Sequence, residues 1–163
     1  MANKKRNSYF GKKTAVATFK FNGTDSAGVS MGTVASHGLG VFIPSGAVVT
    51  DAYYVVNTTF SSPTTGAGVD KATIALTLQS AGDLKAAIAI EAAGDVYDAG
   101  VRGCLPGHFA LDGNALTAIA SAAGRAGSYI LTTAERELTA TVAVDPLTGG
   151  AGELTLYVEY FVL

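Results

Sequence analysis

The chain has 163 residues and a mass of 16.5 kDa, with 48% hydrophobic and only 15% charged residues. An average domain is about 25% charged, so low charge with ample apolar content excludes a disordered chain. The net charge of −2 hides an asymmetry: Lys4, Lys5, Arg6, Lys12 and Lys13 crowd residues 1–13 without an acid, which leaves six basic against thirteen acidic residues in the remainder.

Residues 1–13 read as a flexible basic arm, and 14–163 as a single domain. Such an arm is either a solvated terminus or a peptide that docks on an anionic surface or a partner. Five charges are few for nucleic-acid binding, which is not expected. The arm is no secretory signal, because Val16, Phe19 and Phe21 alternate with Thr18 and Lys20 where an apolar h-region would run. No apolar run reaches the roughly 20 residues of a membrane-spanning helix, so no membrane partner is expected.

Residues 14–22 place Ala15, Ala17, Phe19 and Phe21 on one face, a strand that Asn22-Gly23 ends. Residues 24–38 read as a loop, with room for a short strand around Val29–Val34. Leu39–Ile43 is a short apolar run stopped by Pro44-Ser45-Gly46. Ala47–Phe60 is a longer strand whose pairs Val48-Val49 and Tyr53-Tyr54 break strict alternation. Burial on both sides, or a bulge near Asp51, would explain the break. Ser61–Gly68 reads as a loop.

Ile74, Leu76 and Leu78 share a face of a strand over 72–79. Asp83 then suits the N-cap of a short helix over Leu84–Ala93, stopped by Gly94; a strand at Ala87–Ile90 is the alternative. Residues 94–114 read as irregular, and Ala115–Ala123 as a short helix or a small-residue connection. Ser128–Thr132 returns to a strand pattern. Leu138, Ala140, Val142 and Val144 alternate with polar neighbours, as do Leu154, Leu156, Val158, Tyr160 and Val162. The two runs flank a Pro/Gly turn and predict a β-hairpin. Its second strand carries Tyr157 and Phe161 on the polar face. The apolar end at Leu163 is expected to tuck into a core or an interface. The sum is an all-β chain: a β-sandwich or jelly roll with one or two short helices and long Gly-rich loops.

Little catalytic chemistry can be assembled from this inventory. Cys104 is the lone cysteine, so no intrachain disulfide forms. Cys104 and His108 are four apart, but Pro106 and Gly107 lie between them and argue against one helical turn. His37 lies in a stretch read as flexible and is no better candidate. Asp95 and Asp98 lack the oxygen-rich loop of a calcium site, and Glu135 and Glu137 straddle Arg136 as ordinary surface charge or an intersubunit ion pair. Gly38-Leu39-Gly40 lacks the third glycine of a dinucleotide fingerprint. The chain reads as a non-enzyme without cofactor or metal.

Two stretches carry a resemblance. Leu131-Thr-Thr-Ala-Glu-Arg-Glu-Leu-Thr-Ala-Thr-Val-Ala-Val-Asp-Pro-Leu-Thr-Gly-Gly with Leu154-Thr-Leu-Tyr-Val-Glu-Tyr-Phe-Val is similar to small virion proteins of tailed bacteriophages. So is Val49-Thr-Asp-Ala-Tyr-Tyr-Val-Val-Asn-Thr-Thr-Phe. The resemblance implies a decoration or cement protein on the capsid exterior; the lone cysteine, which needs no oxidising export, is in keeping with synthesis in the host cytoplasm. Its implied partners are the major capsid protein and itself, as a homotrimer. No binding residue carries over, because the class has no motif to align. From the residues themselves, Lys4, Lys5, Arg6, Tyr9, Phe10, Lys12, Lys13, Tyr157, Phe161 and Leu163 are the expected capsid or subunit contacts, since aromatics beside Lys or Arg suit an interface. A tail or head-fibre subunit is the first alternative. A carbohydrate-binding module with Tyr53, Tyr54 and Tyr97 as platforms is the second.

Overall fold

The computed structural model describes residues 11–61, 71–91, 96–104, 110–112, 115–117, 129–147 and 150–163. Its strands are β1 (Lys13–Lys20), β2 (Ala35–Ile43), β3 (Ala47–Ser61), β4 (Thr73–Thr77), β5 (Lys85–Ala89), β6 (Gly100–Gly103), β7 (Ala110–Asp112), β8 (Ala115–Thr117), β9 (Ile130–Leu131), β10 (Arg136–Ala143) and β11 (Ala151–Val162). One sheet runs β1-β11-β3-β6, with β9 also on β3; the other runs β2-β10-β4-β5; β7 and β8 pair with each other.

The pairing is nested. β4 pairs with β5, β3 with β6, β2 with β10 and β1 with β11, all antiparallel. These pairs trace one long hairpin whose tip is residues 78–84. Rolling it brings β11 onto β3 and β10 onto β4. The fold is therefore a two-sheet β-sandwich with jelly-roll connectivity, as expected.

Alternation builds the core, because inward side chains of both sheets meet there. Phe19, Tyr54, Leu154, Leu156 and Val158 come from the first sheet, and Ile43, Ile74, Leu76, Leu138 and Ala140 from the second. Each large side chain so buried contributes about 1.5–3 kcal/mol. Two buried tyrosine hydroxyls find carbonyls: Tyr54 donates to Val96 at 2.9 Å and Tyr97 to Ile74 at 2.6 Å. Burial pushes the Tyr97 hydroxyl well above its ordinary pKa. Gly152 has φ +142°, and a Cβ there would strike the Phe60 ring, so only glycine fits this shift in register.

The break in alternation in β3 is a bulge. Glu159 faces Asp51 and Tyr160 faces Val49, so Thr50 is the extra residue. Buried positions accordingly change from Ala47 and Val49 to Ala52, Tyr54 and Val56.

Several expectations are corrected. The helix expected over 84–93 is absent from its described part, where β5 runs antiparallel to β4. Asp83 caps backwards instead, accepting the amides of Leu78, Gln79 and Ser80 at 2.8–2.9 Å and closing the tip of the roll. Ala115–Thr117 is a strand, and 118–123 lie outside the described residues. Among the described residues there is no helix. The predicted β10–β11 hairpin does not form: β10 lies between β2 and β4 in one sheet, and β11 between β1 and β3 in the other. The expected strand around 29–34 is a turn with an isolated Thr24–Ser30 bridge, and β2 begins at Ala35. Val144, expected on the inner face, is 64% exposed at φ +72°. Leu163 is 77% exposed and enters no core of its own chain. The loop expected at 61–68 lies almost wholly outside the described residues.

Candidate interaction surface

Residues paired across neighbouring strands point to the same side of a sheet. On the outer side of the first sheet, Val16 lies opposite Tyr157, Tyr157 opposite Tyr53, and Tyr53 opposite Gly103. The Tyr53 and Tyr157 rings stack with centroids 4.8 Å apart and planes 8° from parallel. The next row is Thr18, Thr155, Val55 and Val101, with Val101 66% exposed. Toward the chain termini a further row joins Phe161, Val48 and Leu131, and Leu131 is 51% exposed. Val48 and Tyr53 are of opposite parity. They share this face only because the extra residue Thr50 shifts the phase between them.

Charge borders the apolar rows. Lys12 pairs with Glu159, which sits opposite Asp51. At the far end Lys20 pairs with Glu153 at 3.2 Å. Such surface pairs add about 0–1 kcal/mol each, so they orient more than they stabilise.

Of the expected contact residues, Lys4, Lys5, Arg6, Tyr9 and Phe10 lie outside the described residues. The structure brings Tyr157 and Phe161 onto one face, with Lys12 at its edge. Lys13, opposite Tyr160, has the other parity and is exposed. Leu163 donates its amide to the Gly46 carbonyl at 3.2 Å, and its side chain stays in solvent. Val16, Val48, Val55, Val101 and Leu131 were not singled out from sequence. Their signal was present only as the phase break in β3 and as valines too isolated to show a period. Of the three tyrosines weighed as a glycan platform, Tyr54 and Tyr97 are core residues at 0% exposure.

The polar groups with catalytic potential lie elsewhere. Cys104 is fully buried, and burial pushes its thiol up to about 12, the behaviour of an inert core thiol. His108 and Asp95 lie outside the described residues. Asp98 takes an Arg102 guanidinium on its backbone carbonyl at 3.5 Å. Glu137 accepts the Gly40 amide at 2.8 Å. His37 differs from expectation. It belongs to β2, is 0% exposed, and bonds Asp25 and the Thr33 carbonyl. Asp25 is held below the usual carboxylate range, first by His37 and then by the Val29 amide. Among the described residues no three His, Cys, Asp or Glu side chains gather to hold a metal.

Comparison with protein-family models and with curated proteins finds no match. Solved structures do match. A chain of the cyanophage Pam1 capsid asymmetric unit aligns over 100% of this chain and 93% of its own, at 18% identity and a TM-score of 0.55. A chain of the capsid of Ralstonia phage GP4 aligns over 93% of this chain and 85% of its own, at 16% identity and a TM-score of 0.50. The jelly roll described above is thus a fold that chains of phage capsid structures share.

Proposed function

We propose that this protein is a structural component of a phage virion that binds the capsid exterior as a homotrimer and stabilises it. The observation that carries the reading is the fold likeness, nearly end to end, to chains of two phage capsid structures. The outer face of the first sheet supports the oligomer: stacked tyrosines and exposed branched residues are interface types. A second copy of the chain is assigned to that face. The basic arm is assigned to the major capsid protein, with Lys4, Lys5 and Arg6 supplying charge and Tyr9 and Phe10 apolar anchors. Stabilisation is mechanical: an oligomer that grips several capsid subunits raises the cost of parting them without new chemistry. No catalytic step is part of this role.

Deleting residues 2–12 tests the assignment of the arm. Binding to expanded capsids of the parent phage should be abolished while the circular dichroism spectrum and thermal midpoint stay unchanged. Retained binding by the deletion variant overturns it.

A further inference from the structure

His37 is enclosed by acceptors. Its Nδ1 lies 3.0 Å from Asp25 Oδ2, and its Nε2 lies 2.9 Å from the Thr33 carbonyl oxygen. A backbone carbonyl can only accept, so Nε2 carries a hydrogen. Asp25 Oδ1 accepts the amides of Ala27 at 2.9 Å and Val29 at 2.8 Å, bonds that favour the carboxylate. An ionised carboxylate also only accepts, so Nδ1 carries a hydrogen too. A neutral ring would turn a lone pair toward one of the two acceptors in a fully buried site, which is costly.

The two acceptors bracket the connection between β1 and β2. Asp25 lies near its start and Thr33 near its end, so one imidazolium ties both to β2. The Ser26 amide adds a bond to the Gly38 carbonyl at 2.9 Å, and the Leu147 amide bonds the Gly32 carbonyl at 2.7 Å. This connection displays Val29 and Val34, 46% and 52% exposed. The charged group that His37 touches is Asp25. From β1 it faces the Phe19 ring, with centroids 6.4 Å apart, and from β10 Glu137 lies against the adjoining Gly38.

We propose that His37 is a charged latch: as an imidazolium between Asp25 and Thr33 it seats residues 23–34, and its deprotonation frees that segment while the two sheets stay folded. The latch stands on this geometry alone and holds whether or not the protein assembles on a capsid.

The test uses the full chain, labelled with ¹⁵N. The His37 ring nitrogens and the exchange protection of the Ala27, Val29 and Met31 amides are followed together as pH is raised. Both ring nitrogens should be protonated while the segment is protected. Protection should fall roughly tenfold or more as the ring loses a proton, with the Leu156 amide unaffected. A singly protonated ring beneath a fully protected segment overturns the proposal, as does protection that ignores the ring's titration. Asp25→Asn supplies a second arm should His37→Gln fail to fold. It should loosen the segment at every pH and abolish the pH dependence; a pH dependence equal to wild type contradicts the latch.

Discussion

The two sheets turn different outer faces to their surroundings. The second sheet presents small and hydroxylated residues: Thr141 lies between Ser36 and Ala75, and Thr139 between Gly38 and Thr77, with Phe42 as its exposed aromatic. There Thr141 donates to Ser36 at 3.2 Å. The first sheet presents Val16, Tyr157, Tyr53, Val55 and Val101 in adjoining rows, with Phe161, Val48 and Leu131 beyond the charged row. Both inner faces supply large apolar side chains to the core, so core formation does not require the asymmetry. A face that needs only water tolerates Ser, Thr and Gly. A face of stacked tyrosines and branched aliphatics suits contact with another protein surface.

Substitutions on the three kinds of face separate these roles. Leu156→Ala, on the inner side of β11, should have the largest effect on stability: about 2–5 kcal/mol by urea denaturation. Tyr157→Ala, one residue along on the outer side, should cost the isolated chain only about 0.5–1.5 kcal/mol for the lost Tyr53 stack, yet should lower the oligomeric mass. Thr141→Ala on the second sheet removes one exposed hydroxyl bond. It should cost about 1 kcal/mol or less and leave the mass unchanged; a loss of assembly there would break the comparison between the faces.

Acid should sharpen it in another way. The Asp25 carboxyl is lowered in the folded chain, foremost by its bond to His37. Its contribution is therefore complete above the unfolded carboxyl value near 4, for as long as His37 keeps both ring hydrogens, and is lost as pH falls through the lower folded value. The urea midpoints of wild type and Asp25→Asn should converge below about pH 4, with no matching convergence for Thr141→Ala. The smallest signal is chemical. Cys104, buried with its thiol at about 12, should react with thiol reagents only as fast as the chain opens, and full-rate labelling of the native protein would contradict its place in the core.

Much of this architecture was legible in the residues. Period-two alternation in β1, β10 and β11 locates those strands and their inner faces, and the doubled pairs of β3 announce its bulge. The arrangement of strands was not legible. Leu138–Val142 and Leu154–Val158 alternate identically whether two strands share a sheet or face each other across a sandwich, so a turn of Pro and Gly suggested a hairpin that does not exist. Asp83 misled for a related reason: its carboxylate can satisfy amides on either side, and here those of 78–80 claim it. Tyr157 and Phe161 stood out as aromatics on a polar face. Val101 and Leu131 did not, because β6 and β9 are four and two residues long and show no period. His37 was hidden among Ser36, Gly38 and Gly40, where no pattern marks a buried position.

The proposed contact between subunits is the outer face of the first sheet. The direct measurement is absolute mass in solution by light scattering, on the wild-type chain and on Tyr157→Glu. The account predicts three times 16.5 kDa for wild type and 16.5 kDa for a still-folded variant. A wild-type mass of 16.5 kDa, or a variant that stays oligomeric, would contradict it.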